Sequence, residues 1–332
     1  MSNEGRFALG MFSTTGAPQF PGLIIGDGVF ALAEVDRRLR TQGRALRGAT
    51  STLAIFENWE HDFPLLQDAA GGLSGGTPLS SLHIHAPVMP RQIFCAGANY
   101  HKHVVDLVVD GTMARDPAAD REAVRSRAEA MMKQRAATGM PFVFMGALSS
   151  IIGPFDDFEI PYDVTQPDWE LELVAVIGRP ARRVSAAQAL EHVAGYTIAN
   201  DITARELVNR ADVPQMGMDW LAAKCSPGFL PLGPFITPAA FVGDPQALQI
   251  TLTLNGQVMQ DESTADMIFG VARIIEFISS HMRLLPGDVV LTGSPSGNGT
   301  HYGRFIRGGD LLEGSIAGLG VQRNRCVAEP PA

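Results

Sequence analysis

Cysteine is scarce. The three present in 332 residues, Cys95, Cys225 and Cys326, are too few and too scattered for a disulfide framework or a zinc site, so buried reduced thiols are expected. No apolar run approaches the roughly 18 residues of a membrane span. The opening M-S-N-E-G-R-F has no basic stretch followed by an apolar one, and the chain is expected in the cytoplasm with no membrane partner. Positive charge is also in short supply: 26 Lys and Arg against 35 Asp and Glu give a net charge of −9, with no compensating basic tract, which excludes nucleic acid as a partner. The glycine-rich stretch 293–303 lacks the lysine of a phosphate-binding loop and the dinucleotide fingerprint, and it reads as a substrate-facing turn. There is no internal repeat.

Turn formers are plentiful. Thirty-five glycines and 22 prolines favour short strands over long helices. The fold class expected is α+β, mainly β, with residues 1–85 as a small β-rich N-terminal domain and 86–332 as the main one. The Gly/Ser-rich segment 68–81 suggests the boundary, although it reads equally as a surface loop. Asp27-Gly28 between two apolar runs is a hairpin signal, and so is Asn255-Gly256 after the alternating L-Q-I-T-L-T-L. Leu53, Ile55, Phe56 and Trp59 suggest a helix, and Ile268, Val271, Ile275, Ile278 and Met282 form the stripe of another. Ser185 and Gln188 have capping-box spacing. In the charged segment 107–140, Asp116-Pro117 reads as a helix start and Glu129 precedes Lys133 by one turn. Its apolar face is poor, mostly alanine with Met131 and Met132, which suits a mobile lid as well as a solvated helix.

The chain is organised around Asp168 to Arg205. In D-W-E-L-E-L-V-A-V-I-G a strand's alternation sends Glu170 and Glu172 the same way where the strand enters a core. Two neighbouring carboxylates repel, and burial protonates one unless a cation lies between them. Asp201 ends a second apolar run, Val193 to Asn200, and brings a third carboxylate to the spot. Three oxygen donors with open positions suit Mg²⁺ or Mn²⁺. E-x-E on a strand is also the pattern of a solvated face. Around this centre, His103 and Asp106 are three residues apart, so one helix face carries an imidazole and a carboxylate able to orient it as a base. Lys224 and Arg205 are the cations suited to a substrate carboxylate or oxyanion. Each of these is, alternatively, an ordinary surface or ion-paired group.

Several spaced motifs make the chain, from about Gln92 to Glu329, resemble the fumarylacetoacetate hydrolase superfamily. They are G-A-N-Y-H-K-H-V-V-D, E-L-E-L-V-A-V-I-G, N-D-I-T-A-R, S-T-A-D-M-I-F, P-G-D-V-V-L-T-G-S-P and the closing G-L-G-V-Q-R-N. The resemblance implies a mixed β-sheet roll, a Mg²⁺ or Mn²⁺ centre on Glu170, Glu172 and Asp201, and a homodimer. It also implies His103, Asp106 and Lys224 as catalytic residues, and Tyr100, Arg205, Lys224, Thr292 and Ser294 as substrate contacts. The chain departs from the family's pattern at four places: Asp106 stands for a glutamate, Gly146 for a lysine, Val208 for a glutamine and Ser294 for a threonine. Losing a lysine and an amide implies a less polar pocket and a bulkier or less charged substrate, with 107–140 as a lid over it.

The expected function is metal-dependent hydrolysis of a C–C bond next to a carbonyl in a 2-oxo or 1,3-diketo acid, in catabolism of aromatic or related compounds. A decarboxylase, isomerase or hydratase of a related oxo acid is the alternative. A catalytically silent small-molecule binding protein is the alternative of another class.

Overall fold

Two cores meet on one strand. Leu171–Ile177 is buried along its whole length because Leu171, Leu173, Ala175 and Ile177 pack into one apolar cluster while Val174 and Val176 on the other face pack into a second. Each buried aliphatic side chain contributes ~1.5–3 kcal/mol relative to exposure. Both faces being apolar explains why the run V-A-V-I shows no polar alternation. The computed structural model describes residues 5–330. Residues 1–4 and 331–332, the outer ends of the two expected domains, lie outside it.

This strand is central in a six-stranded mixed sheet ordered Thr237–Pro238, Val193–Asn200, Leu171–Ile177, Val289–Leu291, Ile93–Gly97, Phe142–Met145. A five-stranded sheet, Gln257–Ser263, Gln249–Leu254, Leu311–Ile316, Gly320–Ala328, Phe158–Ile160, shares the first core through Ile250, Leu252, Leu312 and Ile316. The two sheets approach so closely that a Cβ on Gly314 would collide with the Leu171 side chain, which accounts for glycine there. The second core joins the central sheet to the N-terminal region, where Leu9, Leu23, Leu32, Ile55 and Leu66 meet Val174 and Val176. No helix among the described residues is long and apolar enough to cross a membrane.

The fold is α+β with a mixed sheet roll, as the motifs lead one to expect, and several local features differ from the sequence reading. The hairpin near residue 27 turns on Gly26 and Asp27, since Ile25 pairs with Gly28, and Gly26 supplies the positive φ of 56°. Asn255 and Gly256, at φ 53° and 81°, form the expected tight turn. The helix expected around residues 53–59 is two, Thr52–Glu57 and Trp59–Gly71, broken at Asn58. The segment 68–81 holds the end of the second of these and the strand Thr77–Pro78, which pairs with Gly28–Ala31, so it is built into the N-terminal sheet. Asp116-Pro117 does not start a helix: Asp116 ends His101–Arg115, and Asp120 caps Arg121–Thr138 by accepting from the backbone N–H of Glu122 and Ala123. Ser185 and Gln188 bond each other at 2.9 Å ahead of a single helical turn, Ala186–Ala189.

Candidate metal centre and active site

Strand geometry assembles the acidic cluster. Glu170 and Glu172 share the face of Leu171–Ile177 that further along carries Val174 and Val176. The antiparallel partner Val193–Asn200 ends opposite Leu171, and the Asn200 amide oxygen accepts from the Glu170 backbone N–H at 2.8 Å. One residue later the Asp201 backbone N–H donates to the Glu170 carbonyl at 2.9 Å, which turns the third carboxylate toward the other two. One oxygen from each of Glu170, Glu172 and Asp201 lies within 4.8 Å of the others. Two carboxylates in register on one strand and a third at the end of its neighbour are therefore a product of pairing register.

Two cations reach this cluster, the buried Lys224 and the half-buried Arg205. Lys224 ends the short helix Trp220–Lys224, capped by the Asp219 carboxylate, and its Nζ donates to Glu170 Oε2 at 2.8 Å and Asp201 Oδ2 at 2.5 Å. Arg205 donates through Nη2 to Glu170 Oε1 at 2.5 Å and through Nε to Asp168 Oδ2 at 2.8 Å. Burial pushes the Glu170 carboxyl up, but Arg205 and Lys224 outweigh it and hold the group below the usual carboxylate range. Glu172 has no such partner. Burial and then the Asp201 charge push its carboxyl well above the usual range, outweighing the Lys224 charge and one backbone N–H from Gly293 at 2.6 Å. Burial likewise raises Asp201 despite Lys224. Burial lowers Lys224, but Asp201 and Glu170 more than restore it, so the ammonium stays charged.

Four buried carboxyl groups, those of Asp168, Glu170, Glu172 and Asp201, thus face two cations, so that with all four ionised the cluster carries an excess of two negative charges. A donor set of three carboxylate oxygens with that excess fits a hard divalent ion and fits no monovalent one as well. Glu172, whose charged form is the least compensated, gains most from such an ion.

A cavity of about 560 Å³ opens on the cluster, lined also by His103, Arg205, Lys224, Ser294 and Thr300. His103 projects from His101–Arg115, is buried, and has no hydrogen bond among the described residues. Burial, opposed by the Glu170 charge, brings its imidazole down to about 4, so it is neutral at pH 7 and available as a base. The structure departs from the expected pairing with Asp106. The Asp106 carboxylate is occupied elsewhere, accepting from Ser296 Oγ at 2.8 Å and Arg125 Nη2 at 3.1 Å. Three-residue spacing does put the two on one helix face, but the competing donors decide where the shorter aspartate turns.

Two residues expected to touch substrate do not line the cavity. Tyr100 is fully buried in the main core, and its backbone bridges to Met267. Thr292 is fully buried with its hydroxyl donating to the Leu173 carbonyl at 2.8 Å, because strand alternation aims it into the sheet. Ser294 does line the cavity, its hydroxyl accepting from Gln260 at 2.9 Å. Val208 also lines it. Gly146 does not; a side chain there would begin against Ile93 and Cys95.

Asp168 escaped the sequence reading although it opens the organising stretch. Fully buried, it accepts from Arg205 and also from the backbone N–H of Gly299 at 2.5 Å, the N–H of Thr300 at 3.1 Å and the Thr300 hydroxyl at 3.0 Å. It therefore ties Arg205 to the start of the short helix Gly299–Tyr302, whose Thr300 lines the cavity. Asp168→Ala is expected to destabilise the protein by about 3 kcal/mol, because breaking a buried pair leaves its partners unsatisfied. Denaturant unfolding of the two proteins checks this, and a change within error would show the clamp to be energetically idle.

The fold and this site define a class: a mixed-sheet α+β roll with a candidate cation site built from carboxylates at the mouth of a central strand. Residues 92–327 match the Fumarylacetoacetate (FAA) hydrolase C-terminal family, and the chain belongs to that family. A 2,4-didehydro-3-deoxy-L-rhamnonate hydrolase from Sphingomonas is 40% identical over 56% of this chain, and the match spans 64% of that relative's length. A human mitochondrial oxaloacetate tautomerase is 33% identical over 75% of this chain and 71% of its own. The crystal structure of a 5-carboxymethyl-2-hydroxymuconate delta-isomerase from Mycobacterium smegmatis superposes with a TM-score of 0.68 at 26% identity, covering 98% of this chain and 100% of that one. These relatives carry three different reaction names on one fold.

Proposed function

We propose that the chain is a divalent-metal-dependent hydrolase that cleaves the C–C bond next to a carbonyl in a 2-oxo or 1,3-diketo acid, with Glu170, Glu172 and Asp201 holding Mg²⁺ or Mn²⁺. The observation that carries this reading is the under-compensated carboxylate cluster sharing one cavity with a buried, neutral imidazole. An ion bound there supplies Lewis-acid polarisation of the oxo acid and an electron sink for the carbon left by cleavage. His103 takes a proton from water onto an imidazole nitrogen. The resulting hydroxide adds to the distal carbonyl carbon, the bond from that carbon to its neighbour breaks, and the neighbour regains a proton from the imidazolium. Arg205 and Lys224 offer N–H donors to the substrate carboxylate and to the charge that develops. Ser294 and Thr300 present hydroxyls to the same space.

A second reading, a keto–enol tautomerase or isomerase of a related oxo acid, is favoured by the engagement of Asp106 with Ser296 and Arg125. Moving a proton between carbon and oxygen asks for a base but not for an oriented water. Incubation with acylpyruvates and with enol-oxaloacetate separates the two. Release of pyruvate and a carboxylic acid is the expected result; ketonisation without cleavage would favour the second reading.

The reading includes a cytoplasmic homodimer acting in the breakdown of aromatic or related compounds, with residues 1–85 as a small N-terminal domain and 86–332 as the catalytic one. Leu107 and Arg135, which lie on the helices His101–Arg115 and Arg121–Thr138 and line the cavity, support 107–140 as its lid. A pH profile tests the base. Because the folded imidazole binds its proton only near pH 4, kcat/KM of metal-saturated enzyme is expected to hold as pH falls through the ordinary histidine value of about 6.5 and to drop only well below it. An acid limb centred at or above that ordinary value would contradict the assignment.

A further inference from the structure

We infer that the far end of the preferred substrate is an aromatic or similarly flat apolar group, so that the ligand class is an aryl-substituted 2-oxo acid. The inference rests on the oxo-acid reading of the same cavity and deepens it. The strand Phe142–Met145 reads F-V-F-M, and its alternation sends Phe142 and Phe144 to one side, into the cavity. Trp220 meets them from the start of the helix that ends in Lys224. The Phe144 and Trp220 rings are stacked, with centroids 4.5 Å apart and planes at 11°, and Phe142 tilts against Trp220 at 6.1 Å.

One ammonium ties this aromatic wall to the carboxylates. Lys224 Nζ lies 5.7 Å from the Phe144 centroid and 5.9 Å from the Trp220 centroid while donating to Glu170 and Asp201. A ligand whose oxo-acid head sits at the cluster therefore directs its remaining substituent along two stacked rings. Leu107, Val208, Met218 and Phe305 continue the lining with apolar surface. Outside the cluster and its two cations, Arg135 is the one charged residue lining the cavity among the described residues. Its guanidinium donates to the Ala98 carbonyl at 2.6 Å, lies 5.4 Å over the Phe269 ring and has no carboxylate partner among the described residues, so a ligand with a second carboxylate is the competing case that the test must include. A volume of about 560 Å³ also far exceeds what a methyl-terminated oxo acid fills.

Calorimetric titration of Mn²⁺-loaded full-length protein with pyruvate, phenylpyruvate and 2-oxoadipate, none of which has the second carbonyl that hydrolysis requires, tests this directly. Phenylpyruvate is expected to bind about tenfold more tightly than pyruvate or better, from ring burial and stacking. Trp220→Ala and, separately, Phe144→Leu should collapse that ratio toward one, with Mn²⁺ binding retained as the check that each variant keeps its site. Equal affinities in the parent protein, tighter binding of 2-oxoadipate than of phenylpyruvate, or a ratio untouched by both substitutions would each overturn the inference. Binding of Mn²⁺ with no affinity for any of the three acids would overturn the oxo-acid reading beneath it.

Discussion

Glu172→Gln is expected to abolish divalent-cation binding and turnover together while leaving the fold intact. Altering a residue that merely orients a metal ligand costs roughly 10–100-fold in affinity, so removing a ligand's charge should cost more than about 100-fold. Glu172 is the informative position because of what does not touch it. Glu170 and Asp201 each hold the Lys224 ammonium, and replacing either leaves a buried cation short of a partner. Glu172 accepts one backbone N–H, from Gly293, which glutamine's amide oxygen can still take. Without an ion, burial and Asp201 disfavour its charge, so the neutral amide should leave the metal-free protein as stable as the parent or slightly more so. Melting temperatures with and without Mg²⁺ or Mn²⁺ read this out. The parent should rise on metal addition, by mass action on the folded state, and the variant should not. A variant that still turns over substrate, or a parent fully active in chelator, would rule out the proposed centre.

His103→Ala is expected to reduce hydrolysis by about 10²–10⁴-fold, the usual contribution of a positioned general base. Metal affinity should stay near that of the parent, since the carboxylates are bound to Lys224, Arg205 and backbone rather than to the imidazole. Removing a buried neutral ring leaves a cavity, and an unfolding measurement beside the kinetics separates lost chemistry from lost fold. Cleavage at the parent rate with intact metal binding would remove His103 from the mechanism and leave water activation to another group.

The acidic cluster was legible because strand alternation is a rigid rule: Glu170 and Glu172 face one way whatever surrounds them, and Asp201 follows directly on the strand that pairs with theirs. Contacts made across the chain were not. Tyr100 and Thr292 stand within motifs, but whether a side chain faces the cavity or the sheet depends on which of two buried faces it occupies. Asp106 has two donors, Ser296 and Arg125, one 190 and one 19 residues away, and no local spacing announces either. Asp168 stands two residues before Glu170, and three of its four donors come from the start of the short helix Gly299–Tyr302, which nothing near it in sequence announces. For the aromatic wall a signal did exist. The alternation F-V-F is the same rule that marks Glu170 and Glu172, with rings in place of carboxylates.

Anomalous diffraction from a crystal soaked in Mn²⁺ puts the central claim to its most direct test. A single manganese peak within ligand distance of Glu170, Glu172 and Asp201, open on the side facing His103, is the expected result. No peak at the cluster under saturating Mn²⁺, with Lys224 still bridging Glu170 and Asp201, would contradict it.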